Sequence, residues 1–360
     1  MKEKSITINQ ICAIFIAILP LIKLITAPAV FSGYSNERLW QPLLLLIVID
    51  LLMILFYLYI DKRFNGLSFY EILKTSYGAL VSKILFFIYF VFFLAKSILP
   101  LIEQKELIEN AFYETLPQVP AFYPAFIIIF YLSLKGFKTL GRISQFCLFA
   151  TIPGIMLILF LSFPTAEYKY LAPLLAFNTK SVAICALNGI SWFCDSIYLL
   201  FFCGHFKREK NSNLKIVASY LSGAIITAIF FITFYAIFTF VSPTQKIALN
   251  SMSVFGVTLV NVGRFDYIAL FLLTISSAIS ISIPLITATY CLSEIFKNTK
   301  KEILAFICAV IPLFIIIFFS SKYESVLFFI TRYLTPLYII CGYVLPFLCI
   351  GGKKNDLQTS

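Results

Sequence analysis

Stretches of about twenty mostly apolar residues recur along the whole chain, and no other feature limits its fold so tightly. Such a run crosses the roughly 30 Å hydrocarbon core of a bilayer at about 1.5 Å per residue. It cannot be left on the surface of a water-soluble domain, where large apolar patches drive association. Marked off between polar punctuation, the predicted spans lie at about 11–31, 41–60, 79–99, 117–134, 140–163, 180–203, 214–242, 265–293, 302–320 and 325–350. The fourth is short after Pro120 and Pro124, but without it the charge pattern of every later loop would invert. Period-two alternation is absent, which excludes a membrane barrel. The expectation is an all-α integral membrane protein of about ten transmembrane helices, a single domain over 1–360 with a tail at 351–360.

Composition agrees: 61% of residues are hydrophobic, 12% are charged, and forty are Phe. Only lipid tolerates that many aromatic side chains on outward helix faces. The segment from Met1 to Gln10 lacks the small-residue cleavage site of a signal peptide, so no processing is expected. Nine cysteines fall in or at the ends of apolar runs with no CxxC pair, and read as small buried hydrophobes. The one histidine, His205, lies beside Lys207 and Arg208, which points to a solvated surface residue rather than a metal ligand. Neither a metal nor a cofactor is expected.

Lysine and arginine near span ends resist translocation, so their distribution orients the chain. Loops and tails on one side carry 17 of them, including Lys62, Arg63, Lys138, Arg208 and Lys301, and those on the other carry seven, including Lys105, Lys246 and Lys322. The richer side is expected to be cytoplasmic, with both termini there. The formal net charge of +11 is then a topology signal plus attraction to anionic lipid, and implies no nucleic acid. On the poorer side, Glu103, Glu106, Glu109 and Glu114 alternate with Lys105 at a spacing that fits a short amphipathic helix. That helix reads either as a solvated interfacial segment or as a lid.

No nucleophile–base pair, Walker loop or dinucleotide fingerprint is present, so an enzyme is not expected. What remains are polar groups at membrane depth, which are costly there and therefore functional candidates. Lys23 lies near the centre of the first span, between Pro20 and Pro28, where two prolines are expected to break the helix. The alternative is a simple proline kink with Lys23 snorkelling to an interface. Asp195 closes a polar run in the sixth span that begins at Asn188, and Gly189 within it permits local unwinding. Two interrupted spans five apart suit an inverted repeat with a site near the midplane. The other reading has Asn188 and Ser191 bonding neighbouring helices and Asp195 pairing with a basic residue. Asp50, in the second span, is the acidic group nearest in sequence that could form a structural ion pair with Lys23, and either it or Asp195 is the expected partner. Lys83 and Lys96 are placed near the ends of the third span, where they can snorkel, and carry no assigned chemistry. Arg332 begins a polar patch in the tenth span. Ser276, with Thr274, Ser277, Ser280 and Ser282, forms a small polar face on the eighth span that suits either close helix packing or a ligand cavity.

At these positions the chain resembles the spore-germination permease family, the B subunit of germinant receptors (GerAB-like), within the amino acid–polyamine–organocation superfamily. The resemblance spans nearly the whole length and rests on a series of short features. These are Ile6 to Gln10 at the start of the first span, Lys23 with Pro28, Trp40 before the second span, and Leu116-Pro117 with Pro120. They continue with Gly136 and Leu140-Gly141-Arg142, Leu171 to Leu174, Asp195, and Arg264-Phe265-Asp266. The glycine usual at the family's first break is replaced here by Pro20-Leu21-Ile22. The resemblance implies a LeuT-like 5+5 inverted repeat with broken first and sixth helices, the repeats spanning about 8–163 and 180–350. It also implies an amino-acid-like germinant bound near the breaks, by Lys23, Thr26, Asn188, Gly189, Asp195 and Ser276. The partners implied are receptor A and C subunits in the spore inner membrane. A free-standing amino acid permease would bind its ligand at the same breaks, and a structural or channel-forming subunit would need only the polar lining.

Overall fold

The protein is described here by a computed structural model covering residues 6–112, 123–171, 178–255, 265–319 and 322–351. Glu114, Leu116-Pro117, Pro120, Ala172 to Leu174, Arg264 and the tail beyond Gly351 lie outside the described residues. Every long element is a helix, and the one β-type contact among the described residues is an isolated bridge between Ile6 and Phe206.

Helix α1 (Ile8–Lys23) opens on a capping box: the Gln10 backbone N–H donates to Thr7 Oγ1 while the Thr7 N–H donates to Gln10 Oε1. Two of the backbone donors that a helix start leaves open are thereby satisfied reciprocally. After Leu24 to Thr26 the chain resumes as α2 (Ala27–Ser35), bent by 59° from α1. Pro28 sits in the first turn of α2, where its missing N–H costs nothing, while Pro20 lies inside α1. The predicted break is therefore present, at its narrowest three residues long.

Further apolar helices follow: α3 (Trp40–Arg63), α4 (Phe69–Phe112), α5 (Tyr123–Lys135) and α6 (Phe137–Ser162). Gly78, at φ +83°, breaks α4 near its start, a backbone conformation that glycine adopts without a Cβ penalty. Beyond Gly78, α4 continues through Pro100 to Phe112. Glu103 to Glu109 thus belong to the third span itself, and the separate interfacial helix expected there is absent. The reason is local. Lys105 bonds Glu109 one turn on at 2.5 Å, and an apolar face remains buried, so nothing ends the helix where the apolar run ends.

The sixth span is broken into α7 (Thr179–Gly189), a 3₁₀ turn at Ile190–Trp192, and α8 (Ile197–Phe202). Helices α9 (Ser212–Phe238), α10 (Ala248–Phe255), α11 (Phe265–Ile295) and α12 (Lys301–Phe319) come next. The last span is a bent pair: α13 (Tyr323–Tyr333), then α14 (Thr335–Ile339), which passes into a π turn and a 3₁₀ segment ending at Gly351. Among the described residues, seven helices are long and apolar enough to cross a membrane, or nine if each bent pair counts as one. Helix α5, with 13 described residues, occupies the place of the fourth span.

Helix α1 is wrapped by α6, α9 and α11, and α4 packs along α11. Gly223 lets α9 approach α1, since a Cβ there would meet the Phe15 carbonyl oxygen at 3.0 Å. Large side chains such as Leu80, Phe146, Phe149 and Phe160 stand exposed around the outside, as lipid-facing positions should. Loops expected on one side touch one another. Arg208 Nε bonds Asp61 Oδ2 at 2.5 Å on the Lys/Arg-rich face, and Lys246 pairs with Glu324 on the opposite one.

Candidate functional site

The two helix breaks meet, and the contact is ionic. Lys23 is the last residue of α1, where a cation faces the negative end of the helix dipole, and Asp195 lies just before the start of α8, where an anion faces a positive end. Lys23 Nζ lies 2.5 Å from Asp195 Oδ2, and both side chains are buried. Lys96, from the middle of α4, places its Nζ 3.1 Å from Asp195 Oδ1 and also donates to the Phe193 carbonyl oxygen. That carbonyl is available because Phe193 and Cys194 are extended or left-handed, with Cys194 at φ +63°, so the chain makes no helical ladder there. The Phe193 ring lies under Lys23, 4.6 Å from Nζ to centroid, a cation–π distance.

Asp50 is equally buried but has different partners: Ser196 Oγ and Tyr343 OH each donate to its Oδ1 at 3.0 Å. Of the two carboxylates expected to answer Lys23, Asp195 makes the ion pair and Asp50 does not. Asp50 sits on an unbroken helix whose geometry offers it to Ser196, whereas the breaks bring Lys23 and Asp195 end to end. Two lysines and two aspartates are gathered around this point, so the charges balance. Burying them demands that balance, because an uncompensated ion away from water costs several kcal/mol.

A second cluster lies further along α4. Thr26, in the first break, donates through Oγ1 to Glu103 Oε1, and Trp192, in the 3₁₀ turn of the second break, donates to the same oxygen through Nε1 at 2.7 Å. Glu103 is fully buried. Lys96 and Glu103 are seven residues apart on one helix, hence on one face and about 10 Å from each other along the axis. Helix α4 thus touches the second break through both Lys96 and Glu103, and the first through Glu103.

Of the residues expected at the site, Lys23 and Asp195 are brought together, Thr26 joins the Glu103 cluster, and three are placed otherwise. Asn188 Nδ2 donates to the Ile184 carbonyl within α7, and its side chain lines a 250 Å³ groove with Thr331, Arg332 and Thr335. Gly189 keeps a right-handed conformation, φ −83°, so the unwinding falls on Ile190 to Ser196 rather than on the glycine. Its lack of a Cβ serves packing: a Cβ would lie 2.4 Å from Phe31 Cζ. Ser276 Oγ donates to the carbonyls of Leu272, at 2.9 Å, and Cys147, at 3.4 Å, joining α11 to α6. Lys83 and Arg332 are exposed, as snorkelling residues are, and His205 is half-buried against Phe137 and Tyr290 rather than solvated.

Lys96 and Glu103 are the functional candidates to which the sequence alone assigned no chemistry. The Glu103–Glu109 run, at helical spacing with a Lys105–Glu109 pair, was the available signal that α4 continues and that Lys96 is central in it.

Comparison with solved structures finds the same fold. Mhp1, a nucleobase-cation-symport-1 family transporter in a closed conformation with bromovinylhydantoin bound, superposes with a TM-score of 0.66 at 13% identity, over 96% of this chain and 79% of that one. A manganese transporter of Eremococcus coleocola, in complex with an aromatic bis-isothiourea compound, gives 0.62 at 12% identity over 96% and 77%. A mutant of that transporter gives 0.62 at 12% identity with the same coverage. This is the LeuT-like arrangement with first and sixth helices broken. No curated protein sequence matches the chain significantly. The pattern of the family described as spore germination protein, a spore permease family, matches residues 5–324. With that match covering nearly the whole chain, and with the transporter fold built around two broken helices, the protein belongs to the spore germination permease family.

Proposed function

We propose that the chain is the membrane subunit of a spore germinant receptor, binding a small amino-acid-like molecule at the helix breaks and passing the change to A and C partner subunits. The observation that supports this most is the Lys23–Asp195–Lys96 centre, which ties both breaks to α4 in a chain of a germination family. A zwitterion carries the same two charges as a lysine–aspartate pair. Its carboxylate can take Lys23 and the backbone N–H groups freed at the break, so binding competes with a contact that holds α1 and α8 together. Exchange of that contact is a change of helix position, which a partner subunit can read. Asn188, Gly189 and Ser276 then shape the surroundings of the site.

In this reading the Lys/Arg-rich face, with both termini, is cytoplasmic, and the membrane is the spore inner membrane. Spores carrying Lys23→Met at wild-type protein level should need roughly ten- to a hundredfold more amino acid to germinate, as expected for loss of one charge-assisted contact. An unchanged dose–response curve would rule the site out. A free-standing permease, favoured by the transporter fold alone, would instead move labelled amino acid across vesicles containing only this chain.

A further inference from the structure

Glu103 is a buried carboxyl group that the ion centre leaves uncovered. Its Oε1 is held by two neutral donors, Thr26 and Trp192, while its Oε2 has no hydrogen-bond partner. No lysine or arginine pairs with it among the described residues, since the nearest lysine in sequence, Lys105, is engaged with Glu106 at 3.7 Å and Glu109 at 2.5 Å. Asp195, by contrast, already has two lysines. A carboxylate in this position is a site awaiting a positive group.

A cavity comes close to it. A cavity of about 370 Å³ is lined by Thr26, Gly33, Tyr34, Tyr323 and Glu324 among others, so it reaches the residue that bonds Glu103. It shares Lys246, Tyr323 and Glu324 with a wider vestibule of about 1040 Å³ on the Lys/Arg-poor face. The Tyr323 hydroxyl is buried without a hydrogen-bond partner, and so is Ser191 Oγ, in the same turn as Trp192. Helix α13, which carries Tyr323, touches both α4 and that turn. The volume suits a small molecule of a few heavy atoms.

We infer that Glu103 accepts the ammonium group of a primary amine that arrives through the vestibule, with Thr26 and Tyr323 offering oxygen atoms beside it. The assignment rests on the amino-acid-binding reading and refines it: the ammonium pole of the zwitterion goes to α4, the carboxylate pole to Lys23, three residues before Thr26. An ammonium has three N–H donors and no acceptor, which matches a carboxylate with a free oxygen flanked by hydroxyls.

The test uses the purified full-length chain, its thermal unfolding midpoint read at fixed pH and ionic strength. n-Propylammonium chloride should raise the midpoint of the wild type, whereas sodium chloride and 1-propanol should not. Glu103→Gln keeps the shape and the bonds from Thr26 and Trp192, so its midpoint without ligand should equal or exceed the wild type's. Its response to propylammonium should need at least about tenfold higher concentration. An unaltered propylammonium response in Glu103→Gln overturns the assignment. So does a wild-type midpoint that ignores propylammonium yet shifts with pH only when Glu103 is present, which would make the group a proton site. A mixture of the twenty amino acids that stabilises wild type and Glu103→Gln equally overturns the assignment while leaving the ligand-binding reading intact. If neither amines nor amino acids stabilise the wild type, both fall.

Discussion

Asp195 is the residue whose charge has most to lose. It answers two lysines at once, so Asp195→Asn removes the anion bonded to both and leaves nearby Asp50 tied to Ser196 and Tyr343, whereas Lys23→Met leaves Asp195 still paired with Lys96. Breaking a buried pair by removing one partner costs about 3–5 kcal/mol. The expected order of damage is Asp195→Asn first, then the Lys23→Met/Asp195→Asn double variant, then Lys23→Met alone. Membrane abundance and thermal midpoint of the three proteins check it, and a double variant no better than Asp195→Asn would show that the lysine and aspartate act independently. Lys23 and Asp195 stood out in the sequence because each interrupts an apolar run with a charge beside a helix breaker. Their partnership was one of two open choices, since 172 residues separate them. Asp50 was the nearer choice in sequence and the wrong one in space.

At the scale of the element, the second break shows how a helix can be opened without glycine at the open point. Gly189 ends α7 in ordinary helical conformation, and the opened residues are Ile190 to Ser196, with Cys194 left-handed. What the glycine provides is room for Phe31 of α2, whose ring also packs edge-on against Phe231 of α9, at 5.4 Å between centroids. Gly189→Ala should therefore destabilise the protein by about 1–3 kcal/mol through overpacking, and Phe31→Leu should recover part of the loss. Thermal unfolding of the single and double variants decides the matter; a Gly189→Ala protein as stable as wild type would mean that Phe31 can move aside freely. The third span carries the opposite lesson. Its apolar run ends near residue 99, yet the helix continues to Phe112, because helix formation follows backbone hydrogen bonding and a buried face rather than mean polarity. That extension turns Lys96 from an end residue into a central one.

For the whole molecule, the loops sort into two faces whose members contact each other, Arg208 with Asp61 on one and Lys246 with Glu324 on the other. In the proposed orientation the Arg208 side, with its excess of basic residues, meets the cytoplasm. A cysteine at Asn211 should then be shielded from an impermeant maleimide in right-side-out vesicles, and one at Thr244 should be labelled. Background should be low, since eight of the nine native cysteines are buried. Labelling at 211 but not at 244 would invert the orientation, and with it the side from which a ligand reaches Glu103.

Run length, charge asymmetry and the residues that interrupt an apolar run are local quantities, and they determined the class: a multi-span helical bundle, its approximate span count, the loops that share a face, and, through Pro20, Pro28 and the polar run from Asn188, the first and sixth spans as broken ones. Each follows from how a segment of about twenty residues meets lipid or resists crossing it, which needs no knowledge of neighbours. Only the tertiary structure decided who answers each buried charge. Lys96 joining Asp195, Asp50 turning to Ser196 and Tyr343, and Glu103 left with two neutral donors are outcomes of helices meeting at particular depths and angles. Electrostatic partnership at membrane depth is set by distances of a few ångströms between segments remote in sequence, and it becomes readable only once those segments are packed.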